Sequence, residues 1–125
     1  MTALQVGACE CARVVAAGST NAQVILAAPG RLKGVYEFSV SASIRYLKFY
    51  DKATTPTVGT DTPKLVVQCS NIGANGNPRE VRIPENGIWF QNGISIAITG
   101  GADDTDTTAV TAGDIQAHIL YTKGA

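Results

Sequence analysis

Apolar and polar residues alternate with a period of two through much of this chain, and turn formers interrupt the alternation about every ten residues. On a pleated strand that period puts successive side chains on opposite faces of a sheet. The stretch from Ile44 to Gln68 sets the pattern. Leu47 and Phe49 make one face, aliphatic and aromatic, suited to a core. Tyr46, Lys48 and Tyr50 make the other, which reads as a half-wet surface suited to a contact. From Asp51 to Pro63 the alternation stops, and two prolines, one glycine and five threonines take over. Proline supplies no donor to a ladder, so this segment should leave the sheet as a long loop. Loops of about a dozen residues without regular structure tend to be kept for binding. Leu65 and Val67 resume the alternation.

The flanking segments follow the same rule. Residues 1–12 are small and weakly patterned, and predict an N-terminal arm or a short edge strand. Arg13 to Ala17 and Gln23 to Ala28 are apolar runs split by the turn formers Gly18-Ser19-Thr20-Asn21. Val14, Val15 and the early Gly18 favour a strand over a helix in the first run. After a turn signal at Pro29-Gly30, Tyr36, Phe38 and Val40 share one face and Val35, Glu37 and Ser39 the other. The brief Ser41-Ala42-Ser43 break predicts that this strand pairs with, or neighbours, the one that follows. Asn75-Gly76 and Asn92-Gly93 read as type I′ hairpin turns. Arg79 to Ile83 reads as a short strand with Val81 and Ile83 inward and Arg79 outward. Ile88-Trp89-Phe90 is a compact aromatic strand, and Ile94, Ile96 and Ile98 alternate with Ser95, Ala97 and Thr99 in the cleanest strand of all. A polar loop from Gly100 to Gly113 precedes a last strand carrying Ile115, Ala117, Ile119 and Tyr121. About eight short strands without a helical stripe predict one all-β domain over residues 1–125. The expected architecture is an antiparallel β-sandwich or jelly roll with long Thr/Gly-rich loops.

Composition narrows the function classes. Lys plus Arg and Asp plus Glu number 10 each, so no global field favours nucleic acid or an anionic membrane. No apolar run approaches the roughly eighteen residues of a membrane span. The N-terminus lacks a basic start followed by an apolar run, so no secretory signal is expected and the product should stay in the cytoplasm until assembled. Cys9, Cys11 and Cys69 are three, with one residue between the near pair, and His118 is the single histidine. Zinc sites want four such ligands with wider spacing, so no metal site is expected. Reduced thiols are the expectation, with a bridge from Cys69 to the N-terminal pair left open.

The remaining candidates lack partners for chemistry. Asp103, Asp104, Asp106 and Asp114 could offer oxygens to calcium, but without the ordered spacing and closing Glu of an EF-hand they read as a solvated acidic loop. His118 lies on its strand opposite Ala117 and Ile119, so it should face solvent or a subunit contact, and no nucleophile or orienting group accompanies it for catalysis. Trp89 and Phe90 are consecutive, so one belongs to the core and the other faces outward or into an interface. Arg31, Lys33, Arg45, Lys48 and Lys52 cluster in sequence without the interleaved aromatics of RNA-binding sheets. No glycine-rich phosphate loop precedes a helix. The chain is not expected to be an enzyme, and no cofactor is implied.

Two stretches carry a family resemblance. KFYDKATTPTVGTDTPKL (48–65) and FQNGISIAITGGADDTDTTAVTAGDIQAHILY (90–121) resemble small β-rich virion proteins of tailed bacteriophages. The matching phrases are K-F-Y-D-K-A-T, V-G-T-D-T-P, N-G-I-S-I-A-I-T-G-G, and D-T-T followed by A-G-D. Cys69 to Arg79 and the Cys9/Cys11 segment depart from that pattern. The resemblance implies a capsid decoration or cement protein on the virion surface, made in the host cytoplasm. It would bind the major capsid protein across capsomer boundaries, as a homo-oligomer of trimeric type, with neither nucleic acid nor membrane as partner. Expected contacts are Tyr46, Tyr50, the 51–63 loop with Asp51, Thr57 and Asp61, and Trp89 or Phe90. The alternative is a tail, baseplate or fibre-associated sandwich that stacks host carbohydrate on Trp89, Tyr46 and Tyr50 and uses the acidic loop for calcium.

Overall fold

The computed structural model describes residues 8–69 and 79–124. Nine strands lie among them: β1 (Glu10–Val15), β2 (Gln23–Leu26), β3 (Gly30–Ser39), β4 (Tyr46–Asp51), β5 (Leu65–Gln68), β6 (Arg79–Val81), β7 (Ile88–Phe90), β8 (Ile94–Thr99) and β9 (Ile115–Lys123). They form two antiparallel sheets. One runs β1-β9-β3-β6, with β7 also on β3, and the other runs β2-β8-β4-β5. The all-β sandwich expected from the alternation is therefore the fold.

The longest ladder joins β3 to β9, from Gly30 opposite Lys123 to Ser39 opposite Ile115. The inner side of its sheet supplies Val14, Leu32, Val35, Ile115, Ala117 and Ile119 to the core. The facing sheet supplies Leu26, Leu47, Phe49, Val67, Ile94, Ile96 and Ile98. Each set is one half of an alternation, which is why short strands of modest propensity hold their register: a slip of one residue would turn the whole set outward. Burying one such side chain contributes about 1.5–3 kcal/mol, whereas an exposed ion pair contributes about 0–1 kcal/mol. The interleaved apolar rows hold the sandwich together.

Two local expectations are corrected. β3 and β4 do not pair; they lie in different sheets. β3 is flanked by β9 on one side and by β6 and β7 on the other, and β4 by β8 and β5, so residues 40–45 carry the chain across the sandwich. Asn92-Gly93 is not a hairpin turn, because β7 and β8 also belong to opposite sheets and neither residue has positive φ. Glycine is required at 93 for space: a Cβ there would lie 2.6 Å from the Leu26 carbonyl oxygen and 2.9 Å from the Ala53 Cα and the Lys52 carbonyl oxygen. The edge strand β1 begins at Glu10, inside the segment read as an arm or a short edge strand. Val81 and Ile83 pack against the core as expected. The Asn75-Gly76 turn and the Arg79 side chain lie outside the described residues.

Candidate functional site

The two sheets turn very different outer faces to their surroundings. On the four-stranded sheet, Tyr46, Lys48 and Tyr50 of β4 stand beside Thr99, Ala97 and Ser95 of β8. This face is not half-wet. Lys48 is 0% and Tyr50 1% exposed, and Ser95, Ala97 and Thr99 are buried with them; of these six only Tyr46 is partly open, while Val66 and Gln68 of the edge strand β5 are exposed. The cover is the protein's own loops, 52–64 and 100–114. Lys48 Nζ donates to the Asp103 carbonyl oxygen at 2.5 Å and so pins the acidic loop to the sheet. The loops also touch each other: a Cβ on Gly59, at φ 91°, would meet the Thr107 methyl at 2.7 Å.

The carboxylates expected to reach a partner are spent inside these loops. Asp51 accepts from the backbone N–H groups of Asn92 (2.7 Å), Gln91 (3.1 Å) and Gly93 (3.4 Å), and so shapes the β7–β8 crossing. Burial pushes the Asp51 carboxyl up, but those amides and the Lys64 ammonium outweigh it and hold the group below the usual carboxylate range. Asp61 takes Lys52 Nζ at 2.6 Å and the Thr57 N–H at 2.7 Å; the lysine first and the amide second hold its carboxyl low. Thr57 itself sits at the start of the turn that Asp61 closes, its carbonyl accepting from the Thr60 and Asp61 amides. Asp106 binds the Thr108 N–H (2.9 Å) and hydroxyl and the Gly101 N–H, which hold it low, with Lys48 assisting. Arg45 pairs with Asp114 at 3.1 Å and ties the β3–β4 crossing to the turn before β9. Calcium would have to compete with this network and with the lysine ammonium already seated beneath the loop. Among the described residues no group of three or more His, Cys, Asp or Glu side chains could hold a metal ion.

Among the described residues one buried side-chain polar atom is left over. The Tyr50 hydroxyl is enclosed and has no hydrogen-bond partner, and burial, then Asp61 and Asp104, raise its pKa. Such a group costs stability rather than contributing it.

The five-stranded sheet is the contrast. Register places Val15, Gln116 and Phe38 in one outward row, Arg13, His118, Tyr36 and Glu80 in the next, and Cys11, Leu120 and Gly34 in a third. Beyond the β3 bulge, Thr122, Arg31 and Trp89 extend the same side. Val15, Tyr36 and Val40 are 44%, 45% and 46% exposed, and Phe38, Leu120 and His118 are half-buried beside them. Trp89 is partly exposed, with the Arg31 guanidinium 5.3 Å above its ring. Phe90 points the other way, fully buried, as neighbours on a strand must. Lys64 lies over the Phe90 ring and donates to the Trp89 carbonyl.

The expected contact residues therefore divide. Tyr50 and Phe90 are interior, Asp51 and Asp61 are loop fasteners, and Tyr46 and Trp89 lie on the outer faces of opposite sheets. The basic residues divide too: Arg31 and Lys33 sit on β3 and Lys48 on β4, in the other sheet. Cys9 and Cys11 are exposed while Cys69 is buried in the core. The outward row around Tyr36 was not among the expected contacts. Its sequence signal was a strand apolar on both faces, Val35 on one and Tyr36, Phe38 and Val40 on the other, where a half-solvated antiparallel strand alternates cleanly. No family model, no curated protein and no solved structure matches the chain.

Proposed function

We propose that this chain is a structural subunit of a bacteriophage virion, most simply a decoration or cement protein that stabilises the head by binding across capsomers. One observation carries the reading: an outer sheet face with Val15, Tyr36, Phe38, Val40 and Leu120 open or half-open to solvent. Apolar side chains left open on a sheet face in this number belong to proteins that assemble, with copies of themselves or with other proteins. The loops support the same reading. Their carboxylates fasten backbone amides instead of converging on a reacting atom, so their geometry is rigid and suited to keeping register on a lattice. The family resemblance of residues 48–65 and 90–121 supplies the setting, with the major capsid protein as partner.

Co-sedimentation with capsids lacking this protein tests the proposal. Saturable binding at a lattice-linked stoichiometry, with a gain in shell thermal stability, is the expected result. Failure to bind shells, together with labelling at the tail of intact particles, would replace the head assignment with the tail or baseplate alternative.

A further inference from the structure

We infer that the outer face of the five-stranded sheet is closed by a second copy of this chain, packed face to face about a two-fold axis parallel to the strands. This rests on reading that face as an assembly surface, and goes further by naming its occupant and geometry.

The charge pattern selects the arrangement. Four adjacent strands present Arg13, His118, Tyr36 and Glu80 in one row, with a cation at one end, an anion at the other and aromatic rings between. Arg13 and Glu80 are exposed, and the Arg13 guanidinium is steadied on the same face by Gln116 Oε1 at 2.9 Å. A two-fold axis along the strands reverses this row in the partner. Each Arg13 then lies over a Glu80, and the two central Tyr36–His118 segments meet. An axis across the strands would instead stack Arg13 on Arg13 and Glu80 on Glu80. Like charges brought together oppose association, so the row permits one two-fold packing and penalises the other. Face-to-face sheets pack about 10 Å apart with strands within roughly 30°, a gap that Arg and Glu side chains span.

The apolar rows on either side fill the gap. Val15 and Phe38 flank the charged row on one side, and Leu120 on the other, beside Gly34, which leaves room for a partner side chain. The face measures at most roughly 33 Å along β3 by about 19 Å across four strands, so each copy covers no more than roughly 600 Å². A standard stable interface takes about 800 Å² per partner. Association is therefore expected in the micromolar range, as a pair rather than the trimer the family resemblance implies.

Charge reversal tests this without touching the core. Sedimentation equilibrium of the wild-type chain should show a monomer–dimer equilibrium. Arg13→Glu and Glu80→Arg should each weaken it by about tenfold or more, because symmetry creates two like-charge contacts per dimer. The double substitution Arg13→Glu/Glu80→Arg should restore dimerisation, and thermal melts should show all three variants folded. A monomeric or trimeric wild type, single reversals without effect, or a double variant that stays as weak as the singles would each overturn the pairing. Co-sedimentation with shells is read separately. A wild type that binds shells but never dimerises sinks the pairing alone, and one that dimerises but ignores shells sinks the decoration reading alone.

Discussion

Replacing Asp51 by alanine should destabilise the protein far more than its position on a strand end suggests. The carboxylate holds three consecutive backbone N–H groups, at 2.7, 3.1 and 3.4 Å, where the chain leaves β7 in one sheet and enters β8 in the other. A helix cap that satisfies a single amide is worth about 1 kcal/mol. In Asp51→Ala the Gln91 and Asn92 amides, on exposed residues, regain water, but the Gly93 amide belongs to a buried residue hemmed in by backbone. An unsatisfied buried donor costs about 1–3 kcal/mol, so with partial rehydration of the other two the expected loss is about 2–3 kcal/mol. At about 2.1 cal/mol/K per residue, 125 residues give an unfolding entropy near 0.26 kcal/mol/K, and Tm should fall by about 8–12 °C. Asp51→Asn keeps one acceptor oxygen and should lose roughly half as much.

Calorimetry at neutral pH measures the loss, and an acid titration gives the sign. The Asp51 carboxyl is held below its ordinary value in the folded chain. Its contribution is then fully present above the unfolded carboxyl pKa, about 3.9, and is lost as pH falls through the lower folded value. Asp51→Ala should accordingly flatten the acid limb of the stability curve. If Asp51→Ala melts within about 2 °C of wild type at neutral pH, the carboxylate is not what shapes the crossing, and the reasoning fails.

Other substitutions probe other parts of the sandwich. Gly93→Ala places a methyl against three backbone atoms that cannot turn away, and should cost at least about 1–3 kcal/mol in denaturant unfolding. Tyr50→Phe removes a buried hydroxyl that lacks a partner, and should leave stability unchanged or raise it by about 1 kcal/mol; a clear loss would show that the hydroxyl is satisfied. Asp61 is held low by Lys52 and the Thr57 amide, and Asp106 by the Thr108 amide and hydroxyl and the Gly101 amide. Protection of the Thr57 and Thr108 amides against hydrogen exchange, relative to their intrinsic rates, should therefore hold above the ordinary carboxylate range and drop as pH falls below it, before the core strands open. Uniform exchange across loops and strands would contradict that order.

Much of this protein can be read from its sequence. The period-two alternation gave the strands, and β8 shows why: Ile94, Ile96 and Ile98 must share a face whatever the topology. Turn chemistry likewise placed the long loops after β4 and after β8. Alternation says which residues share a face, but not what covers that face. Lys48 between two tyrosines carries the pattern of a wet surface, and only the folding back of residues 52–64 and 100–114 buries it. Local signals also cannot separate a hairpin from a crossing between sheets, so Asn92-Gly93 looks like a turn until Asp51, some forty residues earlier, takes its amides. The row of Arg13, His118, Tyr36 and Glu80 comes from four segments far apart in the chain. It exists only through strand register, which is set by the burial of the opposite face: the core fixed the register, and the register assembled the surface.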